Sequence, residues 1–283
     1  MSKTIFSMEV FPPKKDGSIE TVYNTLDELK ELKPDFISVT YGAGGSSNCE
    51  NTLNIARRIN DVCGTASVVH LPGINMNKEQ VASVLSQFKD AGVKNLLALR
   101  GDRVEGVQPG GEFNQADQLI RFVRHWDKDN QFKIYAACYP ELHPESKDIY
   151  QDIRALKSKE DSGASHFLSQ LFFDNEKFYR FVERARLAGV KSPLEAGIMP
   201  VTNKKGIERM VALTNAELPK KFTRMMERFG DSPEAIRDAG IAYAIDQIVD
   251  LVTNGVEGIH LYTMNNPYIA KKINEATRSL FEL

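Results

Sequence analysis

Short apolar runs alternate along the whole chain with longer stretches of helical periodicity. Eight of these runs are candidate strands, at 5–11, 36–41, 66–71, 95–99, 133–139, 166–173, 194–199 and 258–263. Most are apolar at both odd and even positions, as expected of parallel strands that are covered on both faces. The connections between them are long enough for crossover helices. The pattern therefore predicts eight successive β/α units.

The connections also carry the stripes and end signals of helices that pack on a sheet. Apolar residues recur at helical spacing within 19–32 and again within 241–252. Asn77 with Gln80 predicts a capping box, and Ser232 before Pro233 predicts a helix start. Glycines predicted to end helices lie at Gly92, Gly163, Gly189 and Gly255.

These elements predict an α/β fold, a closed (β/α)8 barrel that occupies residues 1–283 as one catalytic domain. An open sheet with a second domain is the alternative, but no composition break or linker divides the chain. The connection from 204 to 257 is long enough for two or three helices. We therefore expect extra helices before the last strand.

Composition narrows the possible partners and the compartment. The 283 residues carry a net charge of -2, so no basic excess favours nucleic acid or an anionic membrane as partner. Glu9 and two prolines interrupt the first apolar run, and we expect neither a secretion signal nor a membrane span. Three widely spaced cysteines suit a reducing cytoplasm and fit neither a disulfide framework nor a cysteine-based zinc site.

Polar residues cluster where the predicted strands end, which in a barrel is the functional face. Glu9 is the clearest case, because a carboxylate within an apolar strand is partly desolvated. Desolvation raises the pKa of a carboxyl group and suits it to act as a general acid. The alternative is a structural ion pair with a neighbouring lysine or arginine.

Asp102, His70 and His143 each allow two interpretations. Asp102 follows Arg100 and Gly101, so it either borders a ligand that approaches the backbone or caps the next helix. The two histidines are either hydrogen-bonding groups for a cofactor or packed structural residues. We expect no metal site, because the sequence has no cluster of histidines, cysteines or carboxylates with ligand spacing.

The segment GAGGSS at 42–47 is only superficially similar to a dinucleotide-binding loop. The third glycine of that motif would fall at Ser47, and no strand-end acid follows at the expected distance. A dinucleotide-binding fold of the Rossmann type is therefore not supported.

Taken in order, seven segments resemble the motifs of bacterial methylenetetrahydrofolate reductases. They are EVFPP at 9–13, FISVTYGA at 36–43, LALRGD at 97–102, YPELHPE at 139–145, QLFFD at 170–174, GIMPVTN at 197–203 and YTMN at 262–265. The resemblance covers essentially the whole chain. It implies an oxidoreductase barrel that holds FAD at its mouth and uses NADH or NADPH to reduce 5,10-methylenetetrahydrofolate to 5-methyltetrahydrofolate. It also implies a homo-oligomer.

The resemblance further implies roles for individual residues. Glu9 corresponds to the general acid, Asp102 to the acid between flavin and folate, and Gln170 to a residue that contacts folate and nicotinamide. The predicted substrate-binding residues are Glu9, Thr40, Asp102 and Gln170. The predicted FAD-binding residues are Thr40, Tyr41, Ala43, His70, Arg100, Gly101, Asp102, Ala116, Tyr139, His143, Ser146, Asp152 and Lys159.

The chain departs from the pattern of the enteric relatives at two positions near the folate. Gly206 stands where they have a glutamine, and Asn266 where they have an arginine. Loss of such a donor costs on the order of 1 to 3 kcal/mol of binding. Two other functions stay open: a pterin-binding barrel without redox chemistry, and a non-catalytic subunit that binds flavin or folate. Glu9 argues against the second, since an idle subunit has no evident use for a carboxyl group in an apolar strand.

Overall fold

The computed structural model describes residues 3–13, 17–41, 46–102, 110–214 and 216–282. Within them, eight parallel strands close into a barrel in chain order, with β8 paired to β1. The strands are β1 Ile5–Val10, β2 Phe36–Val39, β3 Ala66–Pro72, β4 Asn95–Leu99, β5 Lys133–Cys138, β6 His166–Ser169, β7 Leu194–Ile198 and β8 Gly258–Tyr262. The predicted (β/α)8 barrel is confirmed.

The described part of the chain forms ten α-helices. They are α1 Ile19–Leu29, α2 Ser46–Asp61, α3 Lys78–Asp90, α4 Ala116–Trp126, α5 Ile149–Asp161, α6 Asn175–Leu187, α7 Lys204–Thr214, α8 Lys220–Phe229, α9 Pro233–Thr253 and α10 Pro267–Phe281. A 3-10 turn, Lys30–Leu32, extends α1. Across the described ranges, none of the helices combines the length and apolar character needed to cross a membrane.

The largest hydrophobic core lies between the barrel wall and the helices around it. It includes Met8, Ile37 and Leu96 from the strands and Leu26 and Leu85 from the helices, all of them fully buried. A smaller set of five residues forms a separate cluster: Phe36, Val68, Leu97, Tyr135 and Leu168. Because both faces of each strand are covered, the strands read as continuous apolar runs in the sequence.

All eight strands begin at the residue predicted from the sequence, but the sixth ends early. The prediction carried this strand to Phe173, whereas β6 ends at Ser169. Phe172 and Phe173 stay buried beyond the strand, because Phe172 stacks on Phe178 of α6 and Phe173 packs against Phe222 of α8. Burial against helices therefore extended the apolar run past the end of the strand.

The helix ends follow the signals in the sequence. Asn77 and Gln80 form the predicted capping box of α3, and Ser232 caps α9 with Pro233 at its start. Gly92, Gly163, Gly189 and Gly255 all have positive φ angles after helices.

The predicted insertion before the last strand consists of α7, α8 and α9. Apolar residues of these helices pack with residues that follow β6 and β7 in a second core, separate from the largest one: Leu171, Phe173, Met199, Val201, Ile207, Ala216, Phe222, Met226 and Ile236. Because Leu171 and Met199 lie within two residues of the ends of β6 and β7, this core sits beside the carboxyl ends of two strands.

Candidate active site

Two adjoining cavities open at the carboxyl ends of the strands, with volumes of about 380 and 460 Å³. They share five residues: Leu99, Arg100, Ala137, Tyr139 and His143. The first, which we call the inner cavity, also contains Glu9, His70, Gly101, Asp102 and Gln170. The second, the outer cavity, also contains Ala116, Ser146, Asp152 and Lys159. Volumes of this size are typical of small-molecule sites.

Glu9 lies near the end of β1, opposite Ser38 of β2 and Tyr262 of β8 in the strand register. Its Oε2 atom is 3.3 Å from Nε2 of His70, 3.8 Å from Nε2 of His260 and 3.4 Å from the Ser38 hydroxyl. The side chain is 18% exposed, on the side of the inner cavity. One carboxylate oxygen is thus held between two imidazole rings.

The prediction that Glu9 has a raised pKa is wrong. Burial does raise the pKa of this carboxyl group, but the contacts with His260 and His70 outweigh it and lower the pKa to about 2. The sequence did not show that these histidines contact Glu9, because they lie on β3 and β8, far from β1 in the chain. The carboxyl group of Glu9 is therefore ionised at neutral pH.

The backbone after β8 fixes the end of β1. The Thr263 hydroxyl donates to the carbonyl oxygen of Glu9 at 2.6 Å. The Asn265 side chain accepts from the backbone N–H of Phe11 and donates to its carbonyl oxygen, at 3.1 and 2.8 Å. Met264 and Asn265 both have φ near +50°, a left-handed conformation that costs free energy in residues other than glycine. The YTMN segment therefore holds the carboxylate strand in place.

Arg100, at the end of β4, closes one side of both cavities. Its guanidinium makes a bidentate pair with Glu145 at 2.7 and 2.6 Å, which raises the pKa of Arg100. The next residue, Gly101, has a φ of +94°, and a Cβ atom there would lie 3.0 Å from Ile74. Asp102 follows as an exposed carboxylate at the rim of the inner cavity.

The loop after β5 is tied together by Asp152. One of its oxygens accepts from the backbone N–H of His143 at 2.8 Å, and the other pairs with the Ser146 hydroxyl. The rings of His143 and Tyr139 meet edge to face at 4.6 Å. Burial lowers the pKa of His143 and raises that of Tyr139 to about 12, so both are neutral at pH 7. Asp152 and Ser146 shape this wall by organising the loop.

The residues present fit a large cofactor that carries both phosphate and hydroxyl groups. Lys159 is half-buried and donates to the carbonyl oxygen of Ala137. Desolvation lowers its pKa, a penalty that a bound anion would relieve. Oδ1 of Asp117 is buried and has no hydrogen-bond partner among the described residues. The outer cavity thus offers a cation and an acceptor that a ligand could satisfy.

Several predicted residues are not brought into these cavities. Thr40 and Tyr41 follow β2 but belong to the lining of neither cavity, and Ala43 lies outside the described residues. Gln170 lines the inner cavity, with its side-chain oxygen accepting from the backbone N–H of Leu171. Its NH₂ group and the second lone pair of that oxygen are left to contact a ligand.

The two departures from the enteric pattern have local structural roles. Asn266 caps α10 by accepting from the backbone N–H of Ile269 at 3.3 Å. The backbone N–H of Gly206, in the first turn of α7, donates to the Asn203 side chain at 2.6 Å. Neither residue lines a cavity.

Sequence reasoning missed His260 and the buried groups behind it. His260 and Tyr262 are two residues apart on β8, and both line the inner cavity. Ser7 and Glu9 have the same spacing on β1. Polar residues at alternate positions of otherwise apolar strands point to the same side of the sheet. This alternation of polar residues at every second position was the sequence signal from which His260 could have been predicted.

Comparison with solved structures supports the fold. A Clostridium thermocellum protein described as binding two copies of 5-methyl-5,6,7,8-tetrahydrofolic acid aligns over 99% of this chain and 96% of its own, with a TM-score of 0.70 and 12% identity. A dihydropteroate synthase from Coxiella burnetii aligns over 99% of this chain and 94% of its own, with a TM-score of 0.56 and 11% identity. At these identities the likeness concerns the barrel alone.

Comparison of sequences is more specific. "Methylenetetrahydrofolate reductase (NADH) 1" of Arabidopsis thaliana is 36% identical over 276 residues, which are 93% of this chain and 46% of the relative. This chain thus spans about half the length of such plant relatives. The 5,10-methylenetetrahydrofolate reductase of Escherichia coli is 34% identical over 92% of this chain and 86% of the relative. The family described as "Methylenetetrahydrofolate reductase" matches residues 1–278. The chain belongs to the methylenetetrahydrofolate reductase family.

Proposed function

We propose that this protein reduces 5,10-methylenetetrahydrofolate to 5-methyltetrahydrofolate, with FAD as cofactor and a nicotinamide nucleotide as hydride donor. The observation that carries the proposal is the inner cavity itself. It brings three of the four residues predicted for catalysis or substrate binding, Glu9, Asp102 and Gln170, to one space. Five further predicted flavin residues line the same space: His70, Arg100, Gly101, Tyr139 and His143. Family membership and the names of the relatives support the same reaction.

Different residues of the two cavities would bind different groups of FAD. Lys159 offers a positive charge for a diphosphate, and Asp117 offers an acceptor for a hydroxyl group. Arg100, Tyr139 and His143 belong to both cavities and would lie along the molecule. When bound, FAD would supply a hydride acceptor for NADH or NADPH and a hydride donor for the folate methylene carbon.

Glu9 and its histidines would perform the acid step. Reduction requires the five-membered folate ring to open, and a proton on the leaving nitrogen promotes that opening. Oε2 of Glu9 faces the inner cavity beside Nε2 of His70 and Nε2 of His260. Asp102 places a negative charge at the rim, where it would orient the pterin and tune the flavin.

The test separates the two halves of the reaction. We expect the purified protein to be yellow, or to take up FAD stoichiometrically, and to be bleached in anaerobic titration by NADH or NADPH. Glu9→Gln should leave this bleaching intact and slow reoxidation by methylenetetrahydrofolate by about 10²- to 10⁴-fold. Glu257→Gln is the control, since Glu257 pairs with Arg186 and lines neither cavity.

Two results would contradict the proposal. Equal loss of both half-reactions in Glu9→Gln would remove the assigned acid role. A colourless protein that binds folate but takes up no FAD would favour the non-redox pterin barrel instead.

A further inference from the structure

A chain of buried polar side chains leads from Glu9 into the interior of the barrel. The Ser7 hydroxyl lies 2.6 Å from Oε2 of Glu195 and 2.7 Å from Nδ1 of His260. The other oxygen of Glu195 pairs with Nε2 of His166. Ser7, Glu195, His166 and His260 are all at most 2% exposed. Polar groups this deeply buried are costly unless each has a partner, so their mutual arrangement is tightly fixed.

The hydrogen bonds of Ser7 determine which nitrogen of His260 carries a proton. An ionised carboxylate only accepts, so the single hydroxyl proton of Ser7 is donated to Glu195. The Ser7 oxygen then faces Nδ1 of His260 as an acceptor, and Nδ1 must be the N–H donor. The nitrogen that gains and loses a proton is therefore Nε2. This atom lies 3.8 Å from Oε2 of Glu9 and 3.4 Å from the Ser38 hydroxyl.

We propose that Ser7, Glu195 and His166 form a positioning chain that holds His260 with Nδ1 protonated, so that Nε2 of His260 exchanges a proton with the carboxylate of Glu9 through the Ser38 hydroxyl, which lies 3.4 Å from each. This inference rests on the proposed function for its substrate. The assignment of a proton to Nδ1 of His260 rests on hydrogen bonds alone and does not depend on the proposed function.

The proton balance of the step is simple. Nε2 of His260 donates its proton to the Ser38 hydroxyl oxygen, and the Ser38 hydroxyl passes its own proton to Oε2 of Glu9. Glu9 then protonates the ring nitrogen that separates from the methylene carbon. The electron pair of the broken carbon–nitrogen bond stays on that nitrogen, and the methylene carbon is left electron-poor and accepts the hydride. His260 is then neutral with its proton on Nδ1. One proton from water in the cavity restores it, matching the one proton consumed per turnover.

Three titratable side chains lie near His260. They are Glu9 on β1, Glu195 on β7, which is connected through Ser7, and Tyr262 on its own strand, whose ring lies 5.3 Å away. His70 on β3 contacts the same oxygen of Glu9. Tyr262 stays neutral, because burial raises its pKa.

His70 is nearer to Glu9 than His260 is, at 3.3 Å, but differs in its setting. Among the described residues its Nε2 contacts Glu9 alone, and His70 belongs to the predicted flavin site. His260 is instead connected to a buried carboxylate. A histidine that passes on protons needs a hydrogen-bond partner on its other nitrogen, because that partner keeps the ring in one orientation.

The first test uses the protein without cofactor or substrate. The chain has five histidines, so ¹⁵N-histidine labelling and long-range ¹H–¹⁵N spectra, with the His260→Gln spectrum for assignment, resolve each ring. We expect neutral His260 to carry its proton on Nδ1, and Ser7→Ala to abolish this preference. A neutral His260 with its proton on Nε2 would overturn the positioning chain.

The second test measures reoxidation of the reduced, FAD-loaded protein by methylenetetrahydrofolate as a function of pH. Ser7→Ala should slow this step by about tenfold across the pH range, because Nδ1 of His260 loses the acceptor that fixes its tautomer. Flavin reduction by the nicotinamide should be unchanged. The matched control is Ser67→Ala, which removes an equally buried hydroxyl that has no hydrogen-bond partner among the described residues.

The outcomes separate this inference from the function on which it rests. A Ser7→Ala profile that superposes on that of Ser67→Ala would overturn the inference and leave the reductase intact. If the wild-type protein took up no FAD, the reductase proposal would fail, while the histidine spectra would still test the positioning chain. Glu195→Gln provides a second variant that weakens the chain without removing Ser7.

Discussion

His166 and Glu195 form a fully buried pair between β6 and β7, and removal of one partner should be severely destabilising. Glu195 is 0% and His166 2% exposed, so His166→Leu leaves a carboxylate in the interior with the Ser7 hydroxyl as its remaining contact. Breaking such a pair costs about 3–5 kcal/mol. With an unfolding entropy of about 2.1 cal/mol/K per residue, that loss lowers the midpoint of thermal unfolding by roughly 5–8 °C.

The assay is thermal and urea unfolding of a double-mutant cycle. Glu195→Leu combined with His166→Leu should recover most of the loss, because an apolar pair needs no partner. His125→Leu is the matched control: His125 is exposed on α4, and its replacement should change stability by no more than about 0.5 kcal/mol. If His166→Leu behaved like His125→Leu, or if the double variant lost the sum of the single losses, the pair would not be coupled as described.

Three further outcomes follow from the structure. Asp102→Asn should slow folate reduction while flavin stays bound, as absorbance shows after gel filtration; release of flavin would instead mark an anchor for the cofactor. Gly197→Ala should destabilise the barrel by about 1–3 kcal/mol in urea unfolding and displace the Tyr262 ring, since its Cβ would lie 2.2 Å from a backbone oxygen and 2.9 Å from that ring; unchanged stability would contradict this packing. Burial raises the pKa of Glu160, but hydrogen bonds from Ser192 and its neighbours lower it from 4.5 to about 2; the stabilisation that follows is present above pH 4.5 and lost as pH falls toward 2, so Glu160→Gln should narrow that acid dependence in urea unfolding.

The sequence was most informative about features that depend on neighbouring residues. Strand starts could be read because a helix-ending glycine or polar turn precedes a two-sided apolar run, as at Gly92 before β4. Strand-end motifs also predicted correctly that Glu9 and Asp102 share one cavity, because parallel strands all end on the same side of a barrel.

Features that depend on distant strands could not be read in the same way. The pKa of Glu9 is set by His70 and His260, which only barrel closure brings beside it. Glu195 and His166 each stand alone among apolar residues in the sequence, and their pairing follows from the β6–β7 register. The end of β6 was misplaced because α8, an insertion helix, buries Phe173.

The second core forms one wall of the inner cavity and is separate from the core that holds the barrel together. Met199 and Met210 line the inner cavity, and they belong to the smaller core around Phe222 of α8 rather than to the largest core. Substitutions in α7 and α8 can therefore reshape one wall of the cavity while the strands that carry the acidic groups keep their spacing.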